Sequence, residues 1–162
     1  MTLGLYAGSF DPITKGHLDI VQRAASIAGK LVLAVFDTPS KGLLFSTNER
    51  LQLCQSAVAG MKNVEVAKFS GLLVEFARSI NANFMIRGLR NITDLDYEVA
   101  MLMMNRKLNP RVDTIFLYTS QEYQSISSSL IKEVASFGGD ITDLVTKDVA
   151  QALKSKLSAQ AQ

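Results

Sequence analysis

The chain has 162 residues, 48% of them hydrophobic and 20% charged, which is a globular composition and excludes a disordered chain. A formal net charge of +2, with the cations dispersed, argues against a nucleic-acid partner. The single cysteine, Cys54, excludes an internal disulfide framework and any multi-cysteine zinc site.

The first strand-like run covers residues 3–7 and has no charged leader or cleavage site before it. No apolar run approaches the ~20 residues of a membrane helix, so a soluble cytoplasmic protein, with no membrane partner, is expected. After that run the chain reads Gly8-Ser9-Phe10-Asp11-Pro12-Ile13-Thr14-Lys15-Gly16-His17, and a helix is predicted over 17–28. Gly8 lets backbone approach a ligand, Ser9 offers a hydroxyl and an N–H, and Pro12 stiffens the turn. His17, the only histidine, stands at a helix N-terminus, where unpaired N–H groups and the helix dipole favour phosphate.

A second strand over 30–36 leads into Thr38-Pro39-Ser40-Lys41-Gly42, which places the Lys41 ammonium in a strand-end loop. A helix over 47–59 opens with Ser46 three residues before Glu49, a capping-box spacing. Cys54 within it reads as a small buried hydrophobe. A strand over 64–67 and a helix over 72–80 follow. The next strand, 83–86, ends in Arg87-Gly88-Leu89-Arg90, read as a tight loop whose two guanidinium groups suit bidentate phosphate recognition. The helix over 95–108 is expected to be capped by Thr93 and Asp94 and carries Tyr97, Glu98 and the clustered Met101, Met103 and Met104. Those methionines read as core or subunit packing.

The last strand, 114–118, precedes Tyr123-Gln124-Ser125-Ile126-Ser127-Ser128-Ser129-Leu130. Hydroxyl residues entering a helix supply O–H and N–H donors for phosphate. Helices over 128–137 and 146–157 complete one domain, 1–157, with 158–162 as a frayed tail. Strand–helix alternation of this kind predicts an α/β fold: a single-domain, doubly wound, Rossmann-like sheet of five parallel strands flanked by helices, with ligands at the strands' carboxyl ends. The glycines after the first strand lack the Gly-x-Gly-x-x-Gly spacing of a dinucleotide site, and no Gly-Lys-Ser or Gly-Lys-Thr is present.

Gly8 to Pro12 followed by Thr14-Lys15-Gly16-His17 resembles the first motif of the nucleotidylyltransferase superfamily, with Thr14 where a first histidine is common. With Ile86-Arg87-Gly88-Leu89-Arg90 and Ile126-Ser127-Ser128-Ser129, the chain is similar to the bacterial phosphopantetheine adenylyltransferase family from residue 3 to about residue 157. Ser9 and Ala7 stand where many relatives carry threonine and proline. The resemblance implies transfer of the AMP part of ATP to 4′-phosphopantetheine by direct in-line displacement, giving dephospho-CoA and pyrophosphate, with Mg²⁺ carried on ATP and a hexameric homo-oligomer.

It further implies that His17, Lys41 and Arg87 are catalytic. It places Ser9, Phe10, His17, Gly88, Leu89, Arg90, Glu98 and residues Tyr123, Gln124, Ser125, Ile126, Ser127, Ser128 and Ser129 against the nucleotide. Ser9, Lys41, Leu73 and Arg87 would meet the acceptor. Two rivals stay open on the residues alone: a sibling enzyme with another phosphorylated acceptor, and a non-catalytic ATP sensor. A tRNA synthetase fragment shares the first motif, but so short a chain lacks room for an anticodon-binding domain.

Overall fold

The computed structural model describes residues 1–37 and 42–160; Lys41 therefore lies outside the described residues. Strand β1 (Leu3–Gly8) is the centre of a five-stranded sheet, between β2 (Lys30–Phe36) and β4 (Phe84–Leu89), with β3 (Val64–Phe69) and β5 (Asp113–Tyr118) at the edges. All neighbouring strands run parallel. Consecutive residues Leu5, Tyr6 and Ala7 are all buried, because helices cover both faces of the sheet.

Helices α1 (Lys15–Ile27), α2 (Thr47–Val58), α5 (Ser128–Ser136) and α6 (Lys147–Gln160) cover one face, where Tyr6, Ile20, Leu33, Cys54, Ile86, Ile131 and Leu153 form the larger core. Helices α3 (Leu73–Ser79) and α4 (Ile92–Leu108) lie on the other. Leu5, Ala7, Val32, Val74, Ala77 and Met85 pack there. The chain moves outward from β1 through β2 to β3, then returns to the far side of β1 as β4. That reversal opens a crevice at the carboxyl ends of β1 and β4, the position at which doubly wound sheets bind ligands.

Several boundaries differ from expectation. β4 continues to Leu89, since Arg87, Gly88 and Leu89 pair with Phe116, Leu117 and Tyr118 of β5; Arg87, Gly88 and Leu89 are thus strand residues and not a loop. The cap of α4 is Asn91, whose Oδ1 accepts the Asp94 N–H at 2.9 Å, and not Thr93 or Asp94. Ser46 and Glu49 do form the capping box of α2. Met101, Met103 and Met104 are exposed, so they do not belong to this chain's core. α6 runs to Gln160, which carries the helix three residues past the expected end at Leu157.

Candidate active site

A cleft of about 330 Å³ sits over the β1–β4 crevice. Its first wall is the segment after β1. Phe10 adopts φ 47°, a left-handed conformation that costs a non-glycine residue about 1–3 kcal/mol and persists only where packing enforces it. Its ring meets Tyr6 and His17 edge-on, with centroids 5.5 and 5.2 Å away. Thr14 caps α1 and His17 is the third helical residue. His17 N–H donates to Thr14 Oγ1, and Thr14 N–H donates to His17 Nδ1 at 3.1 Å. An Nδ1 that accepts an amide proton must be unprotonated, so the network assigns the ring proton to Nε2. Burial, with Arg90 as a second cause, lowers the imidazole to about 4. His17 is therefore a neutral Nε2–H donor at neutral pH.

The opposite wall is the N-terminus of α5. Ser127 caps it by accepting the Leu130 N–H, and Ser128 Oγ donates to Pro12 O at 2.8 Å, tying this helix to the segment after β1. Ser128 and Ser129 are the first two helical residues, whose N–H groups have no carbonyl partner within the helix. Ser127, Ser128, Ser129, Ile126 and Tyr123 all line the cleft. Asp19 of α1 holds the approach to them, accepting Ser120 N–H at 2.9 Å and Ser120 Oγ–H at 2.7 Å.

The floor is β4. A Cβ on Gly88 would come within 3.1 Å of Ile20 Cγ1, a tight contact that the Ile20 side chain would have to relax by a few tenths of an ångström. Arg87 donates from Nε to Glu98 Oε2 at 2.7 Å and from Nη2 to Oε1 at 2.5 Å, while Nη1 donates to Ala7 O at 2.9 Å. Burial works to lower the Arg87 guanidinium, but its bonds to Glu98 outweigh that and raise it further, so it is charged at any working pH. Arg90 donates from Nε and Nη2 to Asp94, whose Oδ2 also accepts the Arg90 N–H at 3.0 Å. Burial works to raise the Asp94 carboxyl, yet these bonds hold it below its usual value.

Arg87 and Glu98 also line a second cavity of about 80 Å³ on the other face, with Leu73, Met85, Met101, Leu102 and Thr114 around it. The sheet edge thus separates a polar cleft facing α1 and α5 from a largely apolar one facing α3 and α4. Arg87 and its partner Glu98 line both. Leu73 is half-buried at this cavity, whereas Leu72 is exposed.

The cleft gathers Phe10, His17, Arg87, Gly88, Arg90, Glu98, Tyr123, Ile126 and Ser127 to Ser129 from the expected set. Ser9, Leu89, Gln124 and Ser125 flank it without lining it. Leu89 is buried, and Gln124 Nε2 donates to Thr119 O. Glu98 pairs with Arg87 through two hydrogen bonds, a contact the residue pattern alone did not reveal. Asp94 also went unread as a cleft residue, although its i,i+4 spacing from Arg90 was visible. Asp11, within the first motif, is 3% exposed and accepts N–H bonds from Leu44 and Phe45 together with Lys132 Nζ. Arg50, 1% exposed, was missed altogether.

Residues 5–134 match the family model described as cytidylyltransferase-like. A phosphopantetheine adenylyltransferase of Caldanaerobacter subterraneus is 48% identical over 156 residues, covering 96% of this chain and 98% of the relative. One from Clostridium perfringens is 48% identical over 159 residues, covering 98% and 97%. A solved Vibrio parahaemolyticus structure, described as a nicotinate-nucleotide adenylyltransferase, superposes with a TM-score of 0.71 at 16% identity, covering 94% of this chain and 99% of that one, a likeness of fold. With the motif-bearing cleft and full-length identity in agreement, this chain belongs to the phosphopantetheine adenylyltransferase family, within the cytidylyltransferase-like nucleotidylyltransferases.

Proposed function

We infer that the chain transfers the adenylyl group of ATP to 4′-phosphopantetheine, releasing pyrophosphate and forming dephospho-CoA, the penultimate step of coenzyme A synthesis. The observation that carries this reading is that the His17 imidazole and the Arg87 guanidinium line one cleft, although they come from different sides of the sheet. A phosphate oxygen of the acceptor attacks the α-phosphorus, a new P–O–P bridge forms, and the α–β bridge breaks with its electron pair leaving on pyrophosphate. The nucleophile is already an anion, so the step needs no general base. Catalysis is alignment plus charge stabilisation.

His17 Nε2–H donates to a non-bridging α-phosphate oxygen as charge develops there. The α5 N-terminus and Arg90 take the β- and γ-phosphates. Arg87 keeps N–H groups beyond those given to Glu98 and Ala7, and it meets the acceptor's phosphate from the boundary between the two cavities. Lys41 is assigned to the same phosphate on family resemblance. The apolar cavity beside Leu73 suits a neutral arm attached to a phosphate, which favours pantetheine over a nucleotide acceptor. Mg²⁺ would be carried on the ATP phosphates, where it would offset their charge; Glu98 and Asp94 are engaged by arginines.

Exposed Ile92, Tyr97, Met103 and Met104 on α4 form an apolar surface that supports a homo-oligomer, a hexamer by family resemblance. No helix among the described residues is long and apolar enough to cross a membrane, and a cytoplasmic setting fits the proposed substrates. The direct test is mass spectrometry of products after mixing the chain with ATP, Mg²⁺ and 4′-phosphopantetheine. Dephospho-CoA and pyrophosphate are expected. Unchanged acceptor, with ATP bound and intact, would instead favour an adenylate sensor.

A further inference from the structure

Arg50, on α2, is 1% exposed and carries a charge into the core. Among the described residues no carboxylate lies within ion-pair distance of it. Its partners are main-chain oxygens from three separate segments. Nη1 donates to Ser9 O at 2.6 Å and to Phe36 O at 2.9 Å, and Nε donates to Phe45 O at 3.2 Å. Nη2 donates to Thr47 Oγ1 at 3.0 Å, and that hydroxyl donates on to Asp37 Oδ1.

The segments are the ones that carry the reaction. Ser9 adjoins Phe10, whose ring meets the His17 imidazole edge-on. Phe36 closes β2, and Phe45 leads into α2; the stretch between them contains Lys41. The main chain of Phe45 is held at both ends, its carbonyl accepting from Arg50 and its N–H donating to Asp11 Oδ1 at 2.9 Å. Asp11 also accepts from Lys132 Nζ of α5 at 2.6 Å. One guanidinium therefore fastens both flanks of the Lys41 stretch to the nucleotide loop, and Asp11 joins them to the phosphate-binding helix. A buried cation is costly, and an apolar side chain in its place would leave the three carbonyls without this donor. A planar fork of donors, by contrast, fixes several carbonyls at set angles, which neither lysine nor an apolar residue reproduces.

We propose that Arg50 is a positioning residue for adenylyl transfer: it fixes the nucleotide loop at Ser9 against the end of β2 at Phe36 and the entry to α2 at Phe45, without touching either substrate. The proposal rests on the transfer reaction inferred above. Its test compares the unmodified chain with Arg50→Lys, Arg50→Met, Thr47→Val and Val149→Ala. Val149 is fully buried in α6 and does not line the cleft, so it serves as a destabilised control.

Melting temperature, ATP affinity by calorimetry, and kcat and acceptor KM at saturating ATP are read for each. Arg50→Met is expected to lose kcat on the order of 100-fold and to raise acceptor KM, with a smaller change in ATP affinity. Arg50→Lys recovers part of that loss, Thr47→Val loses less than either, and Val149→Ala melts lower at unchanged turnover. Should Arg50→Met not fold, Arg50→Lys and Thr47→Val still show the kcat and KM pattern. Melting shifts like that of Val149→Ala with turnover intact would make Arg50 a purely structural residue and overturn the proposal. Absence of product from the unmodified chain would sink the transfer reading, and this proposal with it.

Discussion

The main-chain N–H of Thr14 donates to Nδ1 of His17 at 3.1 Å, and this one bond decides which ring nitrogen faces the cleft with a proton. The imidazole is thereby a fixed hydrogen-bond donor and not a proton shuttle. Burial and Arg90 depress it to about 4, from an ordinary value of 6.5.

The sign of the resulting pH dependence follows. Above about 6.5 the ring is neutral in both folded and unfolded chains, and the neutral half-buried ring carries no penalty. As pH falls from about 6.5 to about 4 the unfolded chain takes up a proton that the folded chain refuses, so stability drops, by on the order of 2 kcal/mol. Urea melts of the unmodified chain should show that decline, and His17→Asn, which cannot titrate, should show a shallower one. Parallel curves for the two would refute the neutral ring.

His17→Ala should reduce kcat on the order of 100- to 1000-fold while ATP affinity changes far less, because the contact strengthens only as charge develops in the transition state. Single-turnover kinetics beside equilibrium ATP titration separate the two. Wild-type turnover in the variant would remove His17 from the chemistry.

Glu98→Gln keeps the side-chain shape but puts an amide N–H against an Arg87 donor. Arg87 should lose its alignment, with acceptor KM rising on the order of tenfold and stability falling by about 2 kcal/mol, less than for a fully buried pair because the Arg87 side chain is 30% exposed. ATP affinity should shift less than acceptor KM. The reverse order would place Arg87 with the nucleotide.

Gly88→Val tests the cleft floor. A branched side chain there presses on Ile20 and occupies space above the strand end. ATP affinity should fall on the order of tenfold or more, with a destabilisation of about 1–3 kcal/mol from overpacking. Retained ATP affinity in a folded variant would move the nucleotide away from β4.

Cys54 is fully buried, and burial pushes its thiol up to about 12. It should resist alkylation by iodoacetamide in the folded chain near pH 8 and react fully in urea. Rapid labelling of the native chain would contradict the core placement.

What the amino-acid sequence determined on its own was periodic or local. Apolar runs of strand length between helical patterns marked the five strands and six α-helices of the described residues, and the Ser46–Glu49 spacing marked a capping box, because burial pattern and capping act within a few residues. Strand-end loops rich in glycine, arginine and serine pointed to one edge of the sheet, since a parallel sheet sends all its carboxyl ends the same way. The motif from Gly8 to His17 carried the superfamily, and residues 86–90 and 126–129 carried the resemblance to the family.

Only the tertiary structure decided which polar groups serve the substrate and which serve each other. Arg87 looked like a loop residue until the β4–β5 register extended the strand beneath it, and Glu98 like a surface residue until α4 folded over Arg87. Arg50 meets Ser9 across 41 positions and Asp11 meets Lys132 across 121, separations that no local pattern encodes. Such pairs are fixed by sheet order and helix placement. Burying a charge is tolerable only where the completed fold brings it partners, so these roles became readable only when the chain was assembled.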